Sequence, residues 1–141
     1  RSDFSLGLDP GYRRLFVDYL RDYARSENKT VFLTSHIIQD MERLIDDCII
    51  MDYGSILIQQ PIETLMKGLR KYTCTVPEGY QPQLPVTCYH PAVIRQTLET
   101  YSFLPPSDVE GLLKENQVPF TGLQHENVGL EDAFIGLTGK Y

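Results

Sequence analysis

Thr30-Val31-Phe32-Leu33-Thr34-Ser35-His36 is the stretch whose reading decides the fold. Val31 to Leu33 is a continuous apolar run rather than an alternating one, which suits a strand covered on both faces, as in a parallel sheet between helix layers. Beyond it, Ile37, Ile38, Met41, Leu44 and Ile45 recur at helical spacing up to Asp46-Asp47, and Cys48-Ile49-Ile50-Met51 offers the next strand. Strand, helix, strand predicts a right-handed βαβ unit with Ser35-His36 at the carboxyl end of its first strand. Ligands of such sheets sit at that end, and the unpaired N–H groups of the following helix favour an anion, so the physical suggestion is a phosphate beside His36.

Working outward, Asp9-Pro10 marks a helix start, the aspartate capping free N–H groups and the proline taking the first helical position. Leu15, Phe16, Tyr19, Leu20 and Tyr23 then form an apolar stripe opposite charged residues, which predicts a surface helix packed on a sheet, with Tyr19 and Tyr23 as packing residues rather than base-stacking ones. Downstream, Tyr53-Gly54-Ser55 is a turn into Ile56-Leu57-Ile58, predicting a hairpin that gives the sheet an antiparallel edge, and Pro61 opens a short helix to Gly68. The character changes there. Tyr72 to Val76 alternates like a half-exposed strand, and Val86 to Tyr89 suggests another. Pro91 to Tyr101 reads as a helix through Val93, Ile94 and Leu98. Ser107-Asp108-Val109-Glu110 has the form of a capping box for the next helix, Val118 to Leu123 is a last strand, and Leu130 to Leu137 a final helix ended by Gly139. The predicted fold class is therefore α/β: residues 1–68 form a partial parallel sheet with flanking helices and an antiparallel hairpin, and residues 69–141 a small accessory α+β domain.

Composition narrows the function. The chain has 141 residues, is 42% hydrophobic and 23% charged, and no apolar run approaches the roughly 18 residues of a membrane helix, so it reads as a soluble chain. A formal charge of −6 argues against a general nucleic-acid binder. Cys48, Cys74 and Cys88 are odd in number and widely spaced, which disfavours a disulfide framework or zinc site and suits a reducing cytoplasm. His90 and His125 have no partner at ligand spacing and read as structural; no metal site is expected.

Gly7-Leu8-Asp9-Pro10, an amphipathic helix, Thr34-Ser35-His36 after an apolar strand, then a helix and a hydrophobic hairpin together resemble the second half of the nucleotide-binding domain of an ATP-binding-cassette (ABC) transporter subunit. The resemblance covers roughly residues 2–68. It implies that Gly7, Leu8 and Asp9 belong to the D-loop, at the interface between two ATPase domains, and that Ser35-His36 is the switch, with His36 contacting the γ-phosphate of ATP. Asp3 falls at the position of the catalytic carboxylate, although a glutamate is usual there and aspartate reaches less far; Ser2 and Phe4 depart from the acidic and proline positions beside it. Gly129-Leu130-Glu131-Asp132-Ala133-Phe134 with Leu137-Thr138-Gly139 resembles the closing helix of exporter-type members, implying a regulatory or dimer-supporting module. The Walker A loop, Q-loop and signature motif are missing; Gly139-Lys140 is no substitute, because Phe134 stands where a phosphate loop needs its first glycine.

These features imply ATP and Mg²⁺ as ligands of the full-length protein but not of this chain alone. They also imply a membrane-spanning subunit and a second ATP-binding subunit as partners, and a cytoplasmic location peripheral to the membrane. The chain by itself is expected to be inactive and to self-associate through faces that a missing half would cover. Two other readings remain open: a non-transport ABC ATPase of translation or DNA repair, and a stand-alone regulatory or binding module in which Ser35-His36 is only structural.

Overall fold

The computed structural model describes residues 9–34 and 41–139. Helix α1 spans Pro10–Ser26, and Met41–Arg43 forms a single 3-10 turn. The hairpin β1 (Asp47–Asp52) and β2 (Ser55–Pro61) follows, then the short helix α2 (Ile62–Gly68) and β3 (Arg70–Thr75). A second hairpin, β4 (Tyr89–Ile94) and β5 (Thr97–Ser102), leads into α3 (Pro106–Glu115), β6 (Thr121–Asn127) and α4 (Leu130–Thr138).

The strands form two antiparallel sheets, β1-β2 and β4-β5-β3-β6. Side-chain parity on β5 divides the packing. Leu98 joins Tyr72 and Cys74 of β3, Val109 and Leu113 of α3, and Val76 and Val118 in one buried cluster. Tyr101, three residues on and so on the opposite face, joins a second cluster with Ile50, Ile58, Leu65, Leu69, Ala133 and Leu137. The four-stranded sheet thus carries α3 on one face and α4 on the other. Contact on the α4 side is close: a Cβ at Gly136 would lie 2.4 Å from the Tyr101 ring, so only glycine lets the helix approach this far. Buried polar groups of β5 find partners, Thr100 Oγ1 donating to Tyr89 O at 2.9 Å and Ser102 Oγ to Thr87 O at 2.8 Å.

Several expectations hold. Asp9 caps α1, its Oδ1 accepting from Gly11 N at 3.0 Å, with Pro10 in the first turn. The β1-β2 turn uses Tyr53 and Gly54, both with positive φ (48° and 76°), as a tight two-residue hairpin requires. Gly139 ends α4 in the left-handed conformation.

Others are corrected. The partial parallel sheet is not found, since the described strands pair only in antiparallel fashion. Residues 30–34 form no strand, and Val31, Phe32 and Leu33 are exposed; a covered interior strand needs neighbours on both edges, and the described strands pair elsewhere. The expected helix from Pro91 to Tyr101 is the β4-β5 hairpin. Apolar residues at 93, 94, 98 and 101 satisfy either period, but Arg95 (φ 58°) makes a turn that breaks a helix. Pro91 is tolerated because β4 is an edge strand, irregular between Tyr89 and Ala92. Residues 86–88 lie in a turn, and the strand begins at Tyr89. The capping box at Ser107 does not form. Pro106 occupies the first helical position, so the cap falls on Pro105, which has no side-chain acceptor. The last strand starts at Thr121 rather than Val118, whose side chain is buried in the α3 cluster.

The stripe on α1 is the sharpest difference. Leu15 (66% exposed), Tyr19 (69%) and Tyr23 (45%) face outward, and Val17 is the helix's buried residue. The inner face is instead the Arg13, Val17, Leu20, Arg21, Ala24 line. Asp18, beside it, pairs with Arg43 of the 3-10 turn at 3.0 Å.

Candidate functional site

Of the residues assigned by resemblance, only Asp9 is described. Asp3, Gly7, Leu8, Ser35 and His36 lie outside the described residues. Asp9 is exposed and extended (φ −62°, ψ 154°), and its carboxylate is engaged as a cap; its backbone carbonyl accepts from Arg13 N at 2.9 Å. Capping and the implied interface role are compatible, because a cap leaves the residue at the surface.

The described segment after Ser35-His36 has its own geometry. In the 3-10 turn Met41–Arg43, Leu44 N and Ile45 N both donate to Met41 O, at 2.9 and 3.1 Å. Met41 and Ile45 pack against the core cluster that contains α4. Two adjacent side chains reach in different directions. Arg43 pairs with Asp18 on α1, and Glu42 Oε1 accepts the backbone N–H of Leu130, the first residue of α4. Sequence reasoning missed Glu42. No local signal marks it, since its partner lies 88 positions away; the only hint is that Val128-Gly129 gives α4 no side-chain cap of its own.

A depression lined by Glu42, Ile62, Glu63, Met66 and Lys67 adjoins this turn. Two carboxylates against one lysine, itself paired with Glu63 at 3.9 Å, suit neither ATP phosphates nor another polyanion. Among the described residues there is also no cluster of metal-ligating side chains. This depression is therefore not a seat for ATP or Mg²⁺.

The other candidates have structural partners. His90 Nε2 lies 3.0 Å from Leu137 O, an acceptor, so that nitrogen carries the proton and donates. The ring of His125 stacks obliquely on Tyr72, centroids 5.9 Å apart. Cys48, Cys74 and Cys88 are free and buried, and burial pushes each thiol's pKa up, so none is set up as a nucleophile. Burial likewise raises the pKa of the Tyr72 hydroxyl, which stays protonated and donates to Leu104 O at 2.6 Å.

No protein-family profile matches the chain. Individual relatives do. The chain is 32% identical over 145 aligned positions, covering 95% of its length, to the Nod factor export ATP-binding protein I of Ralstonia nicotianae. It is 37% identical over 65 residues, 46% of its length, to the energy-coupling factor transporter ATP-binding protein EcfA2 of Staphylococcus aureus. To the bacitracin transport ATP-binding protein BcrA of Bacillus licheniformis it is 35% identical over 66 residues, 47% of its length. These alignments cover 44%, 23% and 22% of the respective relatives, so the chain spans less than half the length of the proteins it matches. Among the described residues no helix is long and apolar enough to cross a membrane. These relatives are all ATP-binding proteins of ABC transporters, and it is to that family that the chain is similar.

Proposed function

We propose that the chain is the C-terminal part of an ABC transporter ATP-binding subunit whose full-length form couples ATP hydrolysis to transport, in the export direction. The observation that carries this is the match over 95% of the chain to an export ATP-binding protein, against matches of under half to relatives from other systems. The shorter matches, 65 and 66 residues, have the size of a first unit at 1–68. The longer one requires similarity through 69–141 as well. Accordingly, residues 1–68 are the later part of the nucleotide-binding domain and 69–141 its accessory extension.

In this reading His36, with Ser35 beside it, contacts the γ-phosphate, where a donor aimed at developing charge is most effective. Asp3 stands at the position of the water-activating carboxylate, and Gly7, Leu8 and Asp9 face a second ATP-binding subunit. A membrane-spanning subunit is the other partner and holds the protein at the cytoplasmic face. ATP and Mg²⁺ bind the full-length protein, which adds the phosphate loop that these residues lack. The exposed stripe of α1 and Val31 to Leu33 are the surfaces through which the isolated chain self-associates.

The test is Mg-ATP hydrolysis by the full-length protein and by this chain. Turnover is expected from the former and none from the latter, with His36→Ala lowering full-length kcat about 100-fold, the usual scale for removing one transition-state donor. Turnover by the 141-residue chain alone, or a full-length His36→Ala protein with wild-type kcat, would overturn it.

A further inference from the structure

The first N–H groups of a helix have no intrahelical acceptor and need one from outside. In α4 the cap position is Gly129, with no side chain to offer, and the acceptor comes from the 3-10 turn: Glu42 Oε1 takes the Leu130 N–H. A carboxylate there also meets the positive end of the helix, making the bond charge-assisted. Gly129 is fitted to this arrangement, since a Cβ on it would come within 3.2 Å of the same oxygen. The neighbouring Arg43 ties the turn to α1 through Asp18. Two consecutive side chains therefore link α1, the helix capped by Asp9, to α4, through a turn only a few residues beyond Ser35-His36 in sequence.

We propose that Glu42 is a positioning residue through which α4 holds the segment leaving the switch histidine, so that docking of the C-terminal helix governs hydrolysis at the ATP site. The hydrolysis half of this rests on the function proposed above; the mechanical half does not. A docked α4 fixes Glu42, Glu42 fixes the 3-10 turn, and the turn sets the anchor from which the preceding residues run to His36. An undocked α4 releases that anchor. The accessory module thereby gains a route to the catalytic centre without contributing a group to it.

Amide hydrogen exchange on the 141-residue chain tests the mechanical half in both directions. Glu42→Ala is expected to speed exchange at Leu130 to Phe134 about tenfold. Glu42→Gln, which keeps an acceptor without the charge, should have a smaller effect, and Glu110→Gln on α3 none. In reverse, Leu137→Ala on α4 should speed exchange at Leu44 and Ile45, which report on the turn, with no further increase when combined with Glu42→Ala. Wild-type protection of α4 in Glu42→Ala, or of Leu44 and Ile45 in Leu137→Ala, would sink the proposal. In the full-length protein Glu42→Ala should lower kcat about fivefold with KM for ATP unchanged, and Glu42→Gln should recover part of it. Unchanged kcat beside altered exchange would refute control of hydrolysis. Absence of ATP turnover in the wild-type full-length protein would instead count against the proposed function, leaving the exchange result to decide the role of Glu42.

Discussion

At the scale of single residues, the end of α4 shows how two left-handed backbones are made to fit. His90 has φ 43° and Gly139 φ 69°, both in the left-handed region, and they meet. A Cβ on Gly139 would lie 2.5 Å from His90 Nδ1, while the ring's other nitrogen donates to Leu137 O at 3.0 Å. The histidine thus satisfies a C-terminal carbonyl of the helix, where a donor is favoured. It occupies the space that makes glycine obligatory three residues after Gly136. Gly139→Ala should therefore cost more than the roughly 1 kcal/mol of left-handed strain alone, because the ring must also move and its bond to Leu137 is lost. In a His90→Ala background the steric part disappears. The expected outcome is a double-mutant cycle in urea in which the glycine substitution is milder by about 1 kcal/mol when His90 is already removed. Additive effects would show that the ring and the glycine do not share the space.

Among the elements, α1 carries the least expected surface. Its exposed stripe of Leu15, Phe16, Tyr19 and Tyr23 is what a packed helix would show, yet the described residues leave it open. Substitutions on it should separate association from stability. Leu15→Glu with Tyr19→Glu removes apolar surface that contributes little to the core, so the change in unfolding free energy should stay within about 0.5 kcal/mol, while light scattering reports a lower apparent mass at high concentration. Loss of Tm without loss of mass would mean that the stripe packs internally. The same helix shows what sequence can and cannot convey. Its cap, its first-turn proline and its period were legible, because Asp9, Pro10 and a 3.6-residue repeat act locally. Which of its two faces is inner is not legible, because that depends on neighbours distant in the chain, of which Arg43, paired with Asp18, is one. β4 and β5 failed for the opposite reason. Val93, Ile94, Leu98 and Tyr101 fit either period, and the turn that decides between them rests on Arg95 adopting φ 58°, a conformation that nothing in its side chain announces. The end of α4 is legible, since Gly139 is a local stop signal. Glu42 could not be, since its cap is delivered from far away in the chain. Of the candidate site, Asp9 was read correctly as a cap, a role that depends only on its immediate neighbours.

For the molecule as a whole, the distribution of core residues sets which part can stand alone. Among the described residues both buried clusters, with the partly buried side chains packed against them, draw on nothing before Met41. Val17 is buried but belongs to neither, and the Asp18 to Arg43 pair is one link between α1 and the rest of the described residues. An ion pair with both side chains partly exposed contributes about 0 to 1 kcal/mol, whereas truncating one buried leucine of either cluster costs about 2 to 5 kcal/mol. Residues 41–141 should therefore fold without the first forty, keeping the β1-β2 hairpin, the four-stranded sheet and its three helices. Limited proteolysis of the 141-residue chain should trim it to a resistant product beginning close to Met41, and that product, expressed alone, should unfold cooperatively with a midpoint within a few degrees of the parent. The Glu42 bond to Leu130 should survive in it, because both partners are retained. A shortened chain that expresses without cooperative unfolding would show that α1 and the segment after it are part of the core. Folding by 41–141 would instead mean that the extension and the hairpin are one self-supporting body, for which α1 is not required.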